Sequence, residues 1–340
     1  MKNVLRLFFF ILSILIFSKI FAQSNQSKYS WRIMFYNVEN YFDTEDDYET
    51  EDDEFLPVGF YRWTPAKFEK KRDDIARIID TIGIPTIVGL CEVENRFVLE
   101  QLTQQTNLSK YGYAILHRDS PDPRGIDVAL LYLPQQLRLI DSAFFKVNIT
   151  KRTREILYAK GILGNIDTLH IFVNHWSSKI EGEEETEPYR IKAARTLRQK
   201  IDSILQYNPT ANIIAMGDFN DLPDSKSIQE GLRAKSTAHL LQHNDIYNLA
   251  TLLESGEEGT SKYKGKWQLV DMMFCSATML NNNSKLYCNP LGFTIFKDGY
   301  LLEADKTYGG IKPKRTLAGP RHIGGVSDHL PVYIDIKSSL

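Results

Sequence analysis

Short apolar runs recur along the chain, each stopped by a cluster of polar residues. Residues 31–36, 86–91, 127–132, 169–174, 213–216 and 332–336 are such runs. They are too short for helices and rich in β-branched and aromatic side chains, so they read as strands. Elsewhere the period changes. Over residues 65–82, Phe68, Ile75, Ile78 and Ile79 fall on one helical face behind the start signal Thr64-Pro65. Over 189–205, Ile191, Ala194, Leu197, Ile201 and Leu205 do the same. Helices mixed with many strands predict sheets packed together and covered by helices.

Some stretches break the pattern. Residues 43–54 are densely acidic and hold no strong core former, which predicts a solvated acidic loop. A loose calcium site is the sharper reading, although the glycine and spacing of an EF-hand loop are missing. Residues 181–187 read as a charged surface loop. Lys262, Lys264 and Lys266, interleaved with Tyr263 and Trp267, fit either a solvated hairpin or a patch that contacts a nucleic-acid backbone. There is no internal repeat.

Composition sharpens the picture in places. A chain of 340 residues that is 43% hydrophobic and 25% charged has enough apolar material for one large domain. The net charge of -2 exerts no general pull on nucleic acid, while leaving room for a local basic cleft. Residues 1–22 differ from the rest. Lys2 and Arg6 precede the apolar run 7–17, and Ala22 supplies a small residue for cleavage, the order of a secretory signal peptide. Lys19 stops the run short of the roughly 20 residues a membrane span needs, so a tether is the weaker reading. The expectation is export to the periplasm or the exterior. A linker at 23–29, one domain at 30–337 and a tail at 338–340 follow. With three cysteines at least one is unpaired. Cys91 reads as a buried free thiol, and Cys275 and Cys288 flank an Asn-rich turn across which a disulfide is one option. No zinc-site spacing occurs.

The polar residues that end the strands are the chemically informative ones. Asn37 and Glu39, Glu92, Asn174 and His175, and Asp218 and Asn220 follow their runs, and Asp328 and His329 precede the last one. Any one of them alone reads as a turn former or cap. Together, at one end of several strands, they would line a single cleft.

These residues sit in motifs. Asn-Val-Glu-Asn-Tyr-Phe-Asp (37–43), Gly-Leu-Cys-Glu-Val-Glu-Asn (89–95), Arg-Gly-Ile-Asp-Val-Ala (124–129), Asn-His-Trp (174–176), Gly-Asp-Phe-Asn-Asp (217–221) and Ser-Asp-His-Leu-Pro (327–331) follow one another in that order. In sequence and order the chain resembles the endonuclease/exonuclease/phosphatase (DNase I-like) superfamily over nearly all of residues 30–337. The resemblance implies an α/β (α+β) fold, a four-layer αββα sandwich of two mainly antiparallel β-sheets flanked by helices. It implies Glu92 as principal metal carboxylate, with Asn37 beside it and Asp328 as a further ligand. Such hard oxygen donors suit Mg²⁺, with Mn²⁺ or Ca²⁺ as alternatives. Asp218 and Asn220 resemble the pair beside the scissile phosphorus, and His329 the histidine partnered by an acid, here Asp271. His175 favours the DNase-like or sphingomyelinase-like branch, with Asp127 resembling the acid that orients it. Arg124 and Asn174 are the expected substrate contacts. Which histidine is acid and which base stays open.

The function implied is an exported, metal-dependent phosphodiesterase, first a nuclease. An inositol-phosphate or sphingomyelin-type phosphoesterase is the alternative on the same site. A non-catalytic binding module is the third reading, disfavoured because no expected carboxylate or histidine is substituted. The partner is nucleic acid or another phosphodiester; no stable protein partner is implied and a monomer is expected.

Overall fold

Strand β1 (Ser30–Tyr41) runs through the middle of the protein and is buried along most of its length. Its neighbours show how the chain is wound. The computed structural model describes residues 29–239, 241–253 and 258–339; the leader expected at 1–22 lies outside them. β1 pairs in parallel with β2 (Ile87–Val93), and β2 antiparallel with β4 (Asp127–Tyr132), which carries β3 (Ala114–His117) on its far edge. On the other side of β1 lies β14 (Val332–Ser338), antiparallel, with β12 (Leu286–Cys288) and β13 (Thr294–Ile295) on its outer edge. These form one seven-stranded sheet.

The second seven-stranded sheet has the order β5 (Leu137–Phe145), β6 (Ile156–Leu163), β7 (Asp167–His175), β8 (Asn212–Asp218), β11 (Asp271–Ser276), β10 (Ile246–Asn248), β9 (Lys235–Ser236). Again a central pair, β7 and β8, is parallel and its flanking strands are antiparallel. Parallel neighbours need a crossover, and helices supply it. Helix α1 (Pro65–Thr81) lies between β1 and β2, and α3 (Glu183–Tyr207) between β7 and β8. Helix α2 (Arg96–Gln104), capped by the Asn95 side chain on Val98 N at 3.1 Å, packs beside α1.

The two sheets meet through side chains of β1 and β2 on one and β7 and β8 on the other. Gly89 of β2 marks a close approach: a Cβ there would lie 2.7 Å from Met216 Cε of β8. The core is large and includes Phe35, Leu90, Phe172 and Phe274, all fully buried. Each sheet therefore contributes the carboxyl end of a parallel strand pair to the same edge of the sandwich, where open α/β sheets also place their ligands.

Three expectations need correction. The charged run 181–187 is not a loop beyond Gly182, because α3 starts at Glu183. Three glutamates in its first turn match the positive end of the helix dipole. Cys275 and Cys288 do not face each other across a hairpin. They belong to different sheets and meet as buried free thiols with sulfurs 4.0 Å apart. Nor is the acidic segment 43–54 solvated throughout, since Asp43 and Asp52 are buried.

Candidate active site

The first side of the cleft is built by irregularity. β1 and β2 stay in register up to Asn37 and Cys91 and then slip, and β2 slips against β4 between Cys91 and Val93. Glu92 falls in this bulge with a left-handed backbone, φ 61°. A bulge re-aims a side chain that strict alternation would send elsewhere. Glu39, Asn40 and Asn220 also take positive φ. Left-handed conformations at non-glycine residues cost on the order of 1 kcal/mol or more each and collect at functional sites. Here the turned backbone is held by its own side chains. Asn40 N donates to Glu92 Oε2 at 2.9 Å, Glu39 N to Asn37 Oδ1 at 2.9 Å, and Asn220 N to Asp218 Oδ1 at 2.9 Å.

The second side comes from β7 and β8, where His175 and Asp218 are direct register partners. Gly217 lets β8 lie against β7, since a Cβ there would come within 2.4 Å of the Asn174 carbonyl. The third part is the turn before β14. Ser327 Oγ donates to the Asn37 carbonyl at 2.7 Å and accepts from His329 N at 3.0 Å, which fixes His329 over the cleft.

These pieces converge on one atom. Asp218 Oδ2 accepts from Asn37 Nδ2 at 3.0 Å and lies 3.8 Å from both His175 Nε2 and His329 Nε2. Glu92 Oε1 is 3.2 Å from Asn37 Nδ2 and 3.8 Å from His175 Nε2. His329 Nδ1 faces Asp271 Oδ2 at 2.7 Å. Asp271 stands opposite Asp218 in the β8–β11 ladder.

The environments push the two imidazoles apart. Burial opposes a charge on His329, but Asp271 and Asp218 outweigh it and lift the ring well above its ordinary value. Burial lowers His175 well below that value, and Arg154 and Arg124 add to the effect. His329 is thus the cationic ring and His175 the neutral one. Burial also drives Asp218 upward.

Not every expected residue arrives where the sequence reading put it. Asp127 does not orient His175. It accepts from His117 Nε2 at 2.9 Å and Ser120 N at 2.8 Å, while His175 Nδ1 is buried with no hydrogen-bond partner. Asp127 belongs to the first sheet and His175 to the second, a relation strand alternation does not encode. Asn174 is fully buried and faces the scaffold, donating to the Met216 carbonyl and accepting from Trp176 Nε1. Its side chain is committed to these scaffold contacts rather than turned into the cleft. Asn37 turns its amide nitrogen, not its oxygen, toward Glu92 and Asp218. Asp328 is half-exposed and paired with Arg315 at 3.1 Å. Arg124 sits at the rim beside Asp122.

Other residues were missed. Lys71, buried on α1, donates to the Glu39 carbonyl, Thr316 Oγ1 and the Val326 carbonyl. Glu39 accepts from Arg315 Nε at 2.8 Å and Thr316 N at 2.7 Å. This network ties the turn bearing Asp328 and His329 to β1. A signal existed: Lys71 occupies the apolar stripe Phe68–Ile75 at helical spacing. Arg154, which joins Asp122 Oδ2 at 2.6 Å and the Trp176 carbonyl at 2.7 Å, had only a basic run to announce it.

The donor set suits a hard divalent cation. The half-buried Glu92 and the buried Asp218 both turn a carboxylate oxygen to Asn37 Nδ2, and the cluster whose ligand atoms lie within 4.8 Å of one another is Asp218, Asp271 and His329. Among the described residues a second such group, His117, Asp119 and Asp127, lies on the first sheet.

Solved structures share the architecture. Humanized D. rerio TDP2 matches with a TM-score of 0.57 at 14% identity, covering 91% of this chain and 99% of that one. The human Nocturnin catalytic domain with bound sulfate matches with 0.56 at 17% identity, over 92% and 95%. An endonuclease/exonuclease/phosphatase family protein from Bacteroides thetaiotaomicron matches with 0.55 at 15% identity, over 92% and 99%. No curated relative matches the sequence. At such identities the structures establish the fold alone, but a family model described as Endonuclease/Exonuclease/phosphatase family matches residues 32–338. The chain belongs to the endonuclease/exonuclease/phosphatase family.

Proposed function

We propose that this protein is a divalent-cation-dependent phosphodiesterase that hydrolyses nucleic acid, exported by way of residues 1–22. The observation that carries the reading is the convergence of His175, His329 and Asn37 on Asp218 Oδ2, with Glu92 alongside. A phosphodiester anion repels an incoming nucleophile, and its leaving alkoxide is poor. Glu92, with Asp218 nearby, would hold Mg²⁺, or Mn²⁺ or Ca²⁺ in its place, which would supply charge to offset build-up on the phosphoryl oxygens. Asp218, held by Asn37 and Asn220 N, orients the attacking water. His329, kept cationic by Asp271, presents Nε2–H to the phosphoryl group or the departing oxygen. His175 offers a hydrogen bond without a charge. Asn220 uses one amide hydrogen on the Trp176 carbonyl at 3.0 Å and keeps its other for a phosphoryl oxygen.

The choice of nucleic acid rests on the rim. The hairpin Ser261–Tyr263 and Lys266–Gln268 bridges to His329 through Ser261. It carries the exposed Tyr263, with Lys264 5.2 Å from its ring centre, and Trp267, with Lys297 at 5.6 Å. Aromatic faces beside cations suit stacked bases and their backbone. D. rerio TDP2, of the same fold, has been solved with a single-strand DNA product.

Hydrolysis of bis-p-nitrophenyl phosphate with Mg²⁺, Mn²⁺ or Ca²⁺ tests the chemistry. No turnover with any of them would leave the binding-module reading. Nicking of supercoiled plasmid against phosphate release from inositol phosphates tests the substrate. For export, the protein should accumulate outside the cytoplasm with its N-terminus near Gln23; an intact cytoplasmic chain would overturn that part.

A further inference from the structure

The Trp176 carbonyl has two donors. On one side it accepts from Asn220 in the catalytic cleft; on the other it accepts from Arg154 at 2.7 Å. Arg154 is buried, and behind it opens a cavity of about 380 Å³, within the range of ligand pockets. Arg124, Arg152, Ser177, Ser178 and Tyr189 line it together with Arg154.

The charges in this cavity are unevenly compensated. Asp122 is paired with Arg154 at 2.6 Å and touches Arg124 Nε only at 3.4 Å. Lys151 is paired with Glu181. Arg152 is exposed, with no ion pair or hydrogen bond among the described residues. Beyond these pairs the lining holds two guanidinium groups, Arg124 and Arg152, against one further acid, Glu51. Hydroxyls of Ser177, Ser178 and Tyr189 add neutral donors. Arginine forks with hydroxyls around them suit a tetrahedral oxyanion better than a single carboxylate. A purely structural role for Arg154 accounts for the Asp122 pair but not for two further arginines and three hydroxyls around open space.

We propose that this cavity is a second phosphate subsite, which holds a phosphate monoester of the substrate while the neighbouring phosphodiester or phosphoester sits at Asp218. The inference rests on the phosphodiesterase reading above and deepens it. It makes the protein selective for substrates that carry a phosphate group close to the scissile one. Two sources have that chemistry: the terminal phosphate of an oligonucleotide, and an adjacent phosphate on a small polyphosphorylated molecule such as an inositol bisphosphate.

The test is a ratio. The kcat/KM for a short oligonucleotide with a terminal phosphate is divided by that for the same oligonucleotide with a hydroxyl, at the 5′ end and at the 3′ end in turn. Inositol bisphosphate over inositol monophosphate forms the second arm. The wild type should prefer the extra phosphate by about tenfold or more in one arm, which identifies the source. Arg152→Ala should cut that ratio at least about fivefold, and Arg152→Lys should restore part of it. A ratio near one in both arms for the wild type, or a ratio unchanged in Arg152→Ala, would overturn the subsite. Calorimetric binding of inorganic pyrophosphate, expected to weaken in Arg152→Ala, needs no turnover. It therefore separates a failed subsite from a failed phosphodiesterase.

Discussion

Replacing Asp271 with Asn isolates the charge that holds His329. The carboxylate is fully buried, with Oδ2 at 2.7 Å from His329 Nδ1 and Oδ1 without a partner. In Asp271→Asn the amide oxygen can still accept from Nδ1, so the ring orientation survives. The amide nitrogen then enters the partnerless position, and the negative charge is gone. A charge-assisted hydrogen bond is worth about 1.5–3 kcal/mol against about 0.5–1.5 for the neutral one that remains, so at about 1.36 kcal/mol per decade the exchange costs roughly tenfold in rate. Loss of the charge that stabilises the imidazolium in the transition state adds to this, so a kcat reduction of about 10²–10⁴ is expected against bis-p-nitrophenyl phosphate. The pH profile gives the sign. With His329 acting as a cation, activity falls as pH rises through its folded value, and removing Asp271 moves that alkaline limb to lower pH. Stability moves in the same sense. A histidine whose folded value is raised contributes stability that is complete below its unfolded value near 6.5 and is lost as pH climbs through the folded one. The melting temperatures of wild type and variant should differ most in mildly acidic buffer and converge in alkaline buffer. A kcat within tenfold of wild type, or an alkaline limb that stays in place, would refute the assignment.

Other perturbations test neighbouring claims. Asp127→Asn, which removes the carboxylate bound by His117 and Ser120, should leave kcat within about threefold but lower unfolding free energy by roughly 1–3 kcal/mol in denaturant titrations. A large kcat loss would return Asp127 to the catalytic cleft. Burial and the neighbouring Asp43 push Glu94 up to about 9, so the folded protein keeps a proton there that the unfolded chain releases above about 4.5. Wild-type stability should therefore decline between those values, and Glu94→Gln should flatten the decline in melting curves recorded across pH. Gly217→Ala forces a Cβ to within 2.4 Å of the Asn174 carbonyl, backbone that has no easy way to yield. It should destabilise by about 1–3 kcal/mol or more, with weakened soluble expression as the first sign.

The central strands and the helices α1 and α3 were legible because their apolar periodicity is strong and they are buried. The approach of Glu92, Asp218, His175 and His329 was legible because the first three lie at the ends of their strands and His329 just before the last one, and such ends on one edge meet. What failed to show was anything that depends on which sheet faces which. Asp127 shares a strand face with Ala129 and Leu131, as alternation requires, but the residue beside it is His117 on β3, register partner of Ala129. Two acids, Asp43 and Asp52, were read as solvated because composition alone suggests it, yet the fold covers them. Lys71 illustrates the opposite error. Its place in an apolar stripe signalled a buried amine, but the carbonyls that receive it, on Glu39 and Val326, are distant in sequence.

The pairing of β1 with β14 joins residues as far as 307 positions apart, Ser30 with Lys337, and the Arg32–Asp335 contact spans 303. During synthesis β1 therefore keeps one edge unsatisfied until residues 332–338 have emerged. Asp218 can find His175 earlier, since both lie on neighbouring strands, but His329 and its anchor Ser327 arrive only with the closing segment. A ribosome-bound or truncated product lacking residues 327–338 would be both sticky at an open strand and catalytically silent. The catalytic cleft of this family member is thus completed only when residues 327–338 dock.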